Sequence, residues 1–342
     1  MKFRLFILVL LIAGRIGAQD RVRDSLLNLL PQQEGAERLS TLVGIADRLL
    51  YQSPDEAIRY ADEAYNLARE LKAATLRFRA LKIRAYGNKY AGKITQSISD
   101  MQEGLDFYTR IRDTLLMTDA LSDLGHLYLS QAIFDKALEN FQQAYSIHQQ
   151  KKDGRGMANS LNSIGTMHWR SGNFDEALNY YQQAYQLFDS IGLPEETAQT
   201  TSYMGEIYFL KNDQDKALEF FNRAMRLNQT TNQPVFRAQN LINIGKVYLN
   251  QEQPGRAINY FKQALKIQQK HGDREGYAQS HYHLGLALLQ QEKLVEALEN
   301  FNISLASSRR IRNNDIQIKS LEQSARIYYQ LEQYQVAGDL LF

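Results

Sequence analysis

The chain has no cysteine, and that one absence removes disulfides, thiolate metal sites and cysteine nucleophiles together. Its stability therefore comes from packing. It also lacks a dominant charge: 40 basic residues stand against 38 acidic ones, a net charge of +2. A balance so close argues against a nucleic-acid or membrane-surface protein whose affinity rests on a concentrated basic field. The charges are interspersed along amphipathic stretches, as on a solvated surface. Proline is scarce, with five in the chain, and no Ser/Gly/Pro-rich linker interrupts residues 35–342. The apolar run from Leu5 to Ala13 is well short of the ~20 residues that a membrane-spanning helix needs. Lys2 and Arg4 precede that run and Gly17 and Ala18 follow it. This is the build of a secretory signal peptide over residues 1–19, cut near Ala18 or Gln19, which makes the mature protein exported, periplasmic or extracellular, with no membrane insertion of its own. No cysteine follows the run, so the signal is not of the lipoprotein kind.

What the chain does have is a period. Gly125, Gly165, Gly205, Gly245 and Gly285 stand forty residues apart, flanked one step further out by Ala85 and Ala325. A second small-residue row, offset by twelve, runs Ala57, Ser97, Ala137, Ala177, Ala217, Ala257, Ala297 and Ala337. Four positions on, large apolar side chains recur at Met101, Phe141, Tyr181, Phe221, Phe261, Phe301 and Leu341. One unit is thus repeated about eight times, an arrangement in which each unit need only pack on its neighbours.

Each unit reads as two helices. Leu121, Leu124 and Tyr128, then Leu161 and Ile164, follow the i, i+3, i+7 spacing of one apolar face. Pro194 and Pro234, one period apart, have the fixed φ that suits an opening helical turn. Asp55, Thr95, Asp135, Asp175 and Asp215 are read as the residues that introduce the second helices and accept their orphan amide hydrogen bonds. A glycine in mid-helix costs about 1 kcal/mol relative to alanine. The expectation is that the glycine row lets the two helices of a unit approach, small against small with the alanine row, while the aromatics fill the adjoining space.

The order Leu121, Leu124, Gly125, Tyr128, Ala137, Phe141, Ala144 resembles the tetratricopeptide repeat, with L-G-x-x-Y in its first helix and an alanine then an aromatic in its second. The units exceed the usual 34 residues of that family by six. The resemblance covers residues 35–342, after a lead-in or cap at 20–34. It implies an all-α fold, a right-handed α-solenoid superhelix of about eight antiparallel helix pairs, first helices lining a concave groove. The segment from Asp24 to Lys72 also resembles the exported repeat region of bacterial sensor histidine kinases, which implies a membrane span and a signalling output domain beyond residue 342. The last unit ends about ten residues into its second helix, which reads as a truncation or an atypical closing unit.

No catalytic constellation emerges. There is no Gly-rich phosphate loop and no G-x-S-x-G. His281 and His283 stand two apart on a helix, about 200°, so their imidazoles diverge and no metal site is expected. Glu195 and Glu196 follow Pro194, where carboxylates complement a helix dipole. The reading is a non-enzymatic scaffold without cofactor that binds a peptide or protein partner. On the family's geometry the groove carries Asn159, Gln199, Gln239 and Gln279 in one row and Asn162, Ser202 and Tyr282 in a second. His126 lies in a third, with Glu206 and Lys246 in its register, and Trp169 and Phe209 in a fourth. Carboxamides donate and accept at once, which suits an extended peptide backbone, and the aromatic row offers apolar pockets.

Overall fold

The computed structural model describes residues 25–311 and 313–340. The signal-peptide reading of residues 1–19 lies outside the described residues, as does the start of the lead-in. The chain divides between Lys151 and Lys152 into two compact units. The first contains α1 (Gly35–Leu49), α2 (Pro54–Glu70), α3 (Ala74–Tyr90), α4 (Ile94–Ile111), α5 (Thr114–Ser130) and α6 (Phe134–Lys151). The second contains α7 (Gly154–Arg170), α8 (Phe174–Ser190), α9 (Pro194–Leu210), α10 (Gln214–Thr230) and α11 (Pro234–Asn250), then α12 (Pro254–His271), α13 (Arg274–Gln290), α14 (Leu294–Ile311), α15 (Asn314–Gln330) and the short α16 (Tyr334–Asp339). Among the described residues there is no strand. Helices adjacent in sequence pack in pairs, and the protein is an all-α solenoid, with three pairs in the first unit and five in the second. Leu26, Leu27 and Leu30, ahead of α1, pack on the core formed by Leu39, Leu42 and Ile45.

A finer period runs through the turns. Lys72, Gly92, Arg112, Ala132 and their successors through Gly172, Gly192, Asn212, Asn232, Glu252, Gly272 and Glu292 to Glu332 all have positive φ, and their spacing is a multiple of twenty. In these turns the next amide reaches a carbonyl five residues back, as in Lys93 N to Asn88 O at 2.7 Å and Gln253 N to Tyr248 O at 2.9 Å. This is the Schellman closure, with its left-handed residue at the position after the helix cap. Each forty-residue unit is therefore two twenty-residue segments ended by the same turn.

Four of the five prolines open helices, Pro54, Pro194, Pro234 and Pro254, as the fixed φ requires. The acidic row at 55, 135, 175 and 215 does not cap. Those residues sit second in their helices, two positions past the capping residue and too far in for a side chain to fold back on the third amide. Asp55 and Asp175 instead pair with Lys93 and Lys211 of the next repeat. The capping side chains are Asp113, Asp153, Asp213, Asp273 and Asn313, each accepting from the amide three residues on at 2.9–3.2 Å.

The glycine row also differs from the small-against-small expectation. A Cβ placed at Gly165, Gly245 or Gly285 would stand 2.8, 2.5 or 2.6 Å from the ring of Tyr181, Phe261 or Phe301. Thus each glycine is a seat for the aromatic of its own second helix. Ala177 shares a core cluster with the Tyr181 ring and with Met204 and Ile207 of the following first helix.

Candidate functional site

In the second unit, four successive first helices, α9, α11, α13 and α15, together line a cavity of about 280 Å³. Its lining follows the forty-residue period: Gln239, Gln279 and Lys319 form one row, Ile242 and Tyr282 another, Asn243 and His283 a third, and Glu206 and Lys246 a fourth, with Asp315 and Ile316 closing one end. Equivalent positions on stacked helices present a continuous face, and here that face is mostly hydrogen-bonding groups, with Ile242 and Ile316 among them.

The polar groups are tied to one another. Asn243 Nδ2 donates to Glu206 Oε1 at 3.1 Å, while Asn243 Oδ1 accepts from Lys246 Nζ and from Gln239 Nε2, both at 3.5 Å. Lys319 Nζ pairs with Asp315 at 2.7 Å, and the Lys246 ammonium lies 5.4 Å from the Phe209 ring centre. Burial raises the Glu206 carboxyl above the ordinary carboxylate range against the pull of Lys246 and Asn243. Burial likewise lowers the Lys246 ammonium, against the influence of Glu206. His283 is pushed down to about 3 by burial and then by the nearby Lys246 and Lys319.

A group whose folded pKa lies below its unfolded one contributes stability that is present above the unfolded value and lost as pH falls toward the folded value. For His283 that window runs from 6.5 down to about 3, with a slope approaching about 1.4 kcal/mol per pH unit. His283→Leu should therefore flatten the dependence of the denaturation midpoint on pH between about 6.5 and 4. Titration curves of midpoint against pH that are parallel for the two proteins would contradict the assignment.

Of the residues read from sequence as groove positions, the structure brings Gln239, Gln279 and Tyr282 together in this cavity, with Ile242, Glu206 and Lys246 of the same register. Others are engaged by hydrogen bonds inside the protein, those of Asn162 and Ser202 between first helices and that of Gln199 within α9. Asn162 Oδ1 accepts from Thr200 Oγ1 at 3.4 Å, Ser202 Oγ donates to Asn240 Oδ1 at 2.8 Å, and Gln199 Nε2 donates to the Tyr203 hydroxyl at 2.7 Å. Asn159 is exposed near the start of α7. Trp169, half-buried, packs on the cluster of Ala177, Tyr181 and Ile207, and Phe209 on that of Phe221 and Val247. His126 belongs to the first unit, where its ring meets Phe141 edge-on at 5.0 Å. His281 and His283 do diverge: His281 Nδ1 bonds Asn300 Oδ1 at 2.8 Å, whereas His283 stacks at 5.7 Å from Phe261. Among the described residues no group of three or more His, Asp and Glu is placed to hold a metal ion, and no helix is long and apolar enough to cross a membrane.

Sequence reasoning missed Asn243, His283, Asp315, Ile316 and Lys319. A usable signal was present in the spacing of polar partners. Several side-chain ties between repeats run 37 or 38 residues, as in Asn243 to Glu206, Tyr86 to Asp123 and Ser202 to Asn240, while others run 36, as in Lys211 to Asp175, or 41, as in Arg155 to Glu196.

Residues 156–230 and residues 242–310 each match a family described as Tetratricopeptide repeat. No curated protein matches the chain significantly. Among solved structures, BtubC (BKLC) from P. vanneervenii is 22% identical, with 65% of this chain and 93% of that one covered, at a TM-score of 0.57. Aspartyl phosphate phosphatase F from Bacillus subtilis is 14% identical, with 94% and 86% covered, at 0.64. The Rap conjugation gene regulator of the plasmid pLS20, solved in complex with the Phr* peptide, is 14% identical, with 95% and 93% covered, at 0.61. At such identities the likeness speaks to the fold. With the helix pairs, the forty-residue register and the family matches in agreement, the chain is a tetratricopeptide-repeat protein.

Proposed function

We propose that this protein is a non-enzymatic scaffold that holds an extended peptide, or such a segment of a protein partner, on the first-helix face of its second unit. The observation that carries the reading is the cavity shared by α9, α11, α13 and α15, where amide side chains with donors and acceptors stand in register. The peptide-bound Rap regulator of similar fold supports it. Export belongs to the same proposal, on the strength of the Lys2 and Arg4 leader, and N-terminal sequencing of protein recovered from the producing cell tests it.

To test the binding face, peptides are selected from a random display library on the full chain and titrated by calorimetry. Gln239→Ala and Gln279→Ala should each weaken binding by ~0.5–1.5 kcal/mol, the net worth of a hydrogen bond. Tyr282→Ala should cost more if the ring anchors the peptide. Charge reversal at the exposed Lys262 of α12, a second helix, should leave affinity unchanged. Binding that responds to Lys262 and ignores the three cavity positions would place the partner on the opposite face.

A further inference from the structure

We infer that the cavity of the second unit receives an uncharged side chain that both donates and accepts hydrogen bonds, a primary carboxamide of the asparagine or glutamine kind, presented by the partner; this rests on the peptide-binding reading above. The charges of the lining decide against the other classes. Asp315 and Lys319 satisfy each other at 2.7 Å. The remaining pair, Glu206 and Lys246, is held apart by Asn243, whose amide donates to Glu206 Oε1 at 3.1 Å and whose carbonyl accepts from Lys246 Nζ at 3.5 Å. Each ion keeps capacity to spare, since an ammonium has three donors and a carboxylate about four acceptor sites. An anion entering here would lie against Glu206, and a cation would lie against Lys246 and Lys319. A carboxamide meets both requirements, with its N–H toward the carboxylate and its C=O toward the ammonium, and Asn243 already shows that arrangement in the protein itself.

The His283 imidazole also lines the cavity, but its Nδ1 is buried too deeply for a ligand to reach, so discrimination rests on Glu206, Lys246 and Asn243. Sites built to hydrogen-bond a ligand discriminate strongly against an analogue of similar shape that lacks the matching groups.

The test uses the full chain and four capped amino acids, the N-acetyl methylamides of glutamine, glutamate, lysine and norleucine, titrated by ligand-observed NMR. The glutamine probe should bind about tenfold more tightly than the other three. The double variant Glu206→Leu/Lys246→Met removes both charges together and leaves no unpaired ion; it should bring all four probes within about twofold of one another. Should that variant fail to fold, Gln279→Leu on the adjoining helix should weaken the glutamine probe severalfold and leave norleucine unchanged. Preference for glutamate, lysine or norleucine, or equal binding of all four to the unaltered chain, overturns the inference. The two proposals separate cleanly. A selected peptide that binds the face without dependence on any Asn or Gln overturns this inference alone, whereas binding of the glutamine probe with no peptide bound there overturns the peptide reading and leaves the pocket.

Discussion

Gly245→Ala should destabilise the second unit by about 1–3 kcal/mol, the usual cost of overpacking a close-packed interior, although alanine is the better helix former by about 1 kcal/mol. The added Cβ would stand 2.5 Å from the Phe261 ring. That ring is 0% exposed and packed with Leu241, Leu284 and Ala287, so it has little room to retreat. Phe261→Ala alone should cost more, about 3–5 kcal/mol, through lost burial and the cavity left behind. The informative variant is Gly245→Ala/Phe261→Leu. A narrower side chain makes room for the methyl group, so the double change should cost clearly less than the two single changes added, with a coupling of about 1 kcal/mol or more. Urea midpoints of the unaltered protein, Gly245→Ala, Phe261→Leu and the double variant measure it. Strict additivity would mean that the glycine is not there to seat the ring.

The period explains how much of this architecture was legible beforehand. Gly165, Ala177 and Tyr181 return every forty residues, and a spacing that holds without drift over so many units specifies paired helices stacked in register. The contact that the glycine serves was less legible. Ala177 and Tyr181 both recur with it, and only the direction of the side chains shows that the ring, rather than the methyl group, lies over the missing Cβ. The twenty-residue turn was hidden because glycine marks only some of its occurrences, at Gly92, Gly172, Gly192 and Gly272, while Lys72, Arg112, Glu252 and Glu292 take the same left-handed conformation. Such residues adopt it at a cost of roughly 1–2 kcal/mol, which the Schellman hydrogen bonds and helix packing offset.

The site was legible as rows and not as a cavity. Gln239, Gln279 and Tyr282 were found because equivalent positions share a face. Asn243 was not, because it lies one residue along from the Ile242 row and turns toward Glu206 of the preceding first helix; Lys319, the forty-residue equivalent of Gln279, lies on α15, one helix past the last that the sequence rows include. Helical side chains lean toward the N-terminus, and several residues meet a partner 37 or 38 positions away and not their equivalent at forty. The same geometry draws Asn162 and Ser202, read from sequence as ligand contacts, into hydrogen bonds with Thr200 and Asn240. A row of amides along a solenoid thus divides its hydrogen-bonding capacity between holding adjacent first helices together and facing outward.

Asp100→Ala should cost about 3–5 kcal/mol and should do so in the first unit, because it removes one partner from a buried ion pair and leaves the other charge uncompensated. Asp100 on α4 is 2% exposed; its carboxylate accepts from Arg84 Nη2 at 2.8 Å and from Asn88 Nδ2 at 2.9 Å, both on α3. Arg84 also reaches Asp62 of α2 at 2.6 Å and lies 4.7 Å from the Tyr65 ring centre. Beside it Arg77 donates to the Tyr65 hydroxyl at 2.7 Å and pairs with Glu103 at 3.1 Å. The arginine pair thus ties one repeat's second helix to both helices of the next. Asp62 is solvated, with its side chain 53% exposed, so it cannot replace Asp100 as a buried counterion. The companion variant is Asp100→Leu/Arg84→Met/Asn88→Leu, which removes the charges and the dependent amide together. Apolar replacement of a whole buried ionic group is often neutral or stabilising, so this triple change should recover most of the loss. Hydrogen exchange should show the single variant opening α2, α3 and α4 while protection in α11 to α13 is unchanged, as expected when each repeat's stability is set by its nearest neighbours. A loss below about 1 kcal/mol for Asp100→Ala, the range of an exposed pair, would show that water reaches Arg84 once the carboxylate is gone and that the network does not hold these helices together.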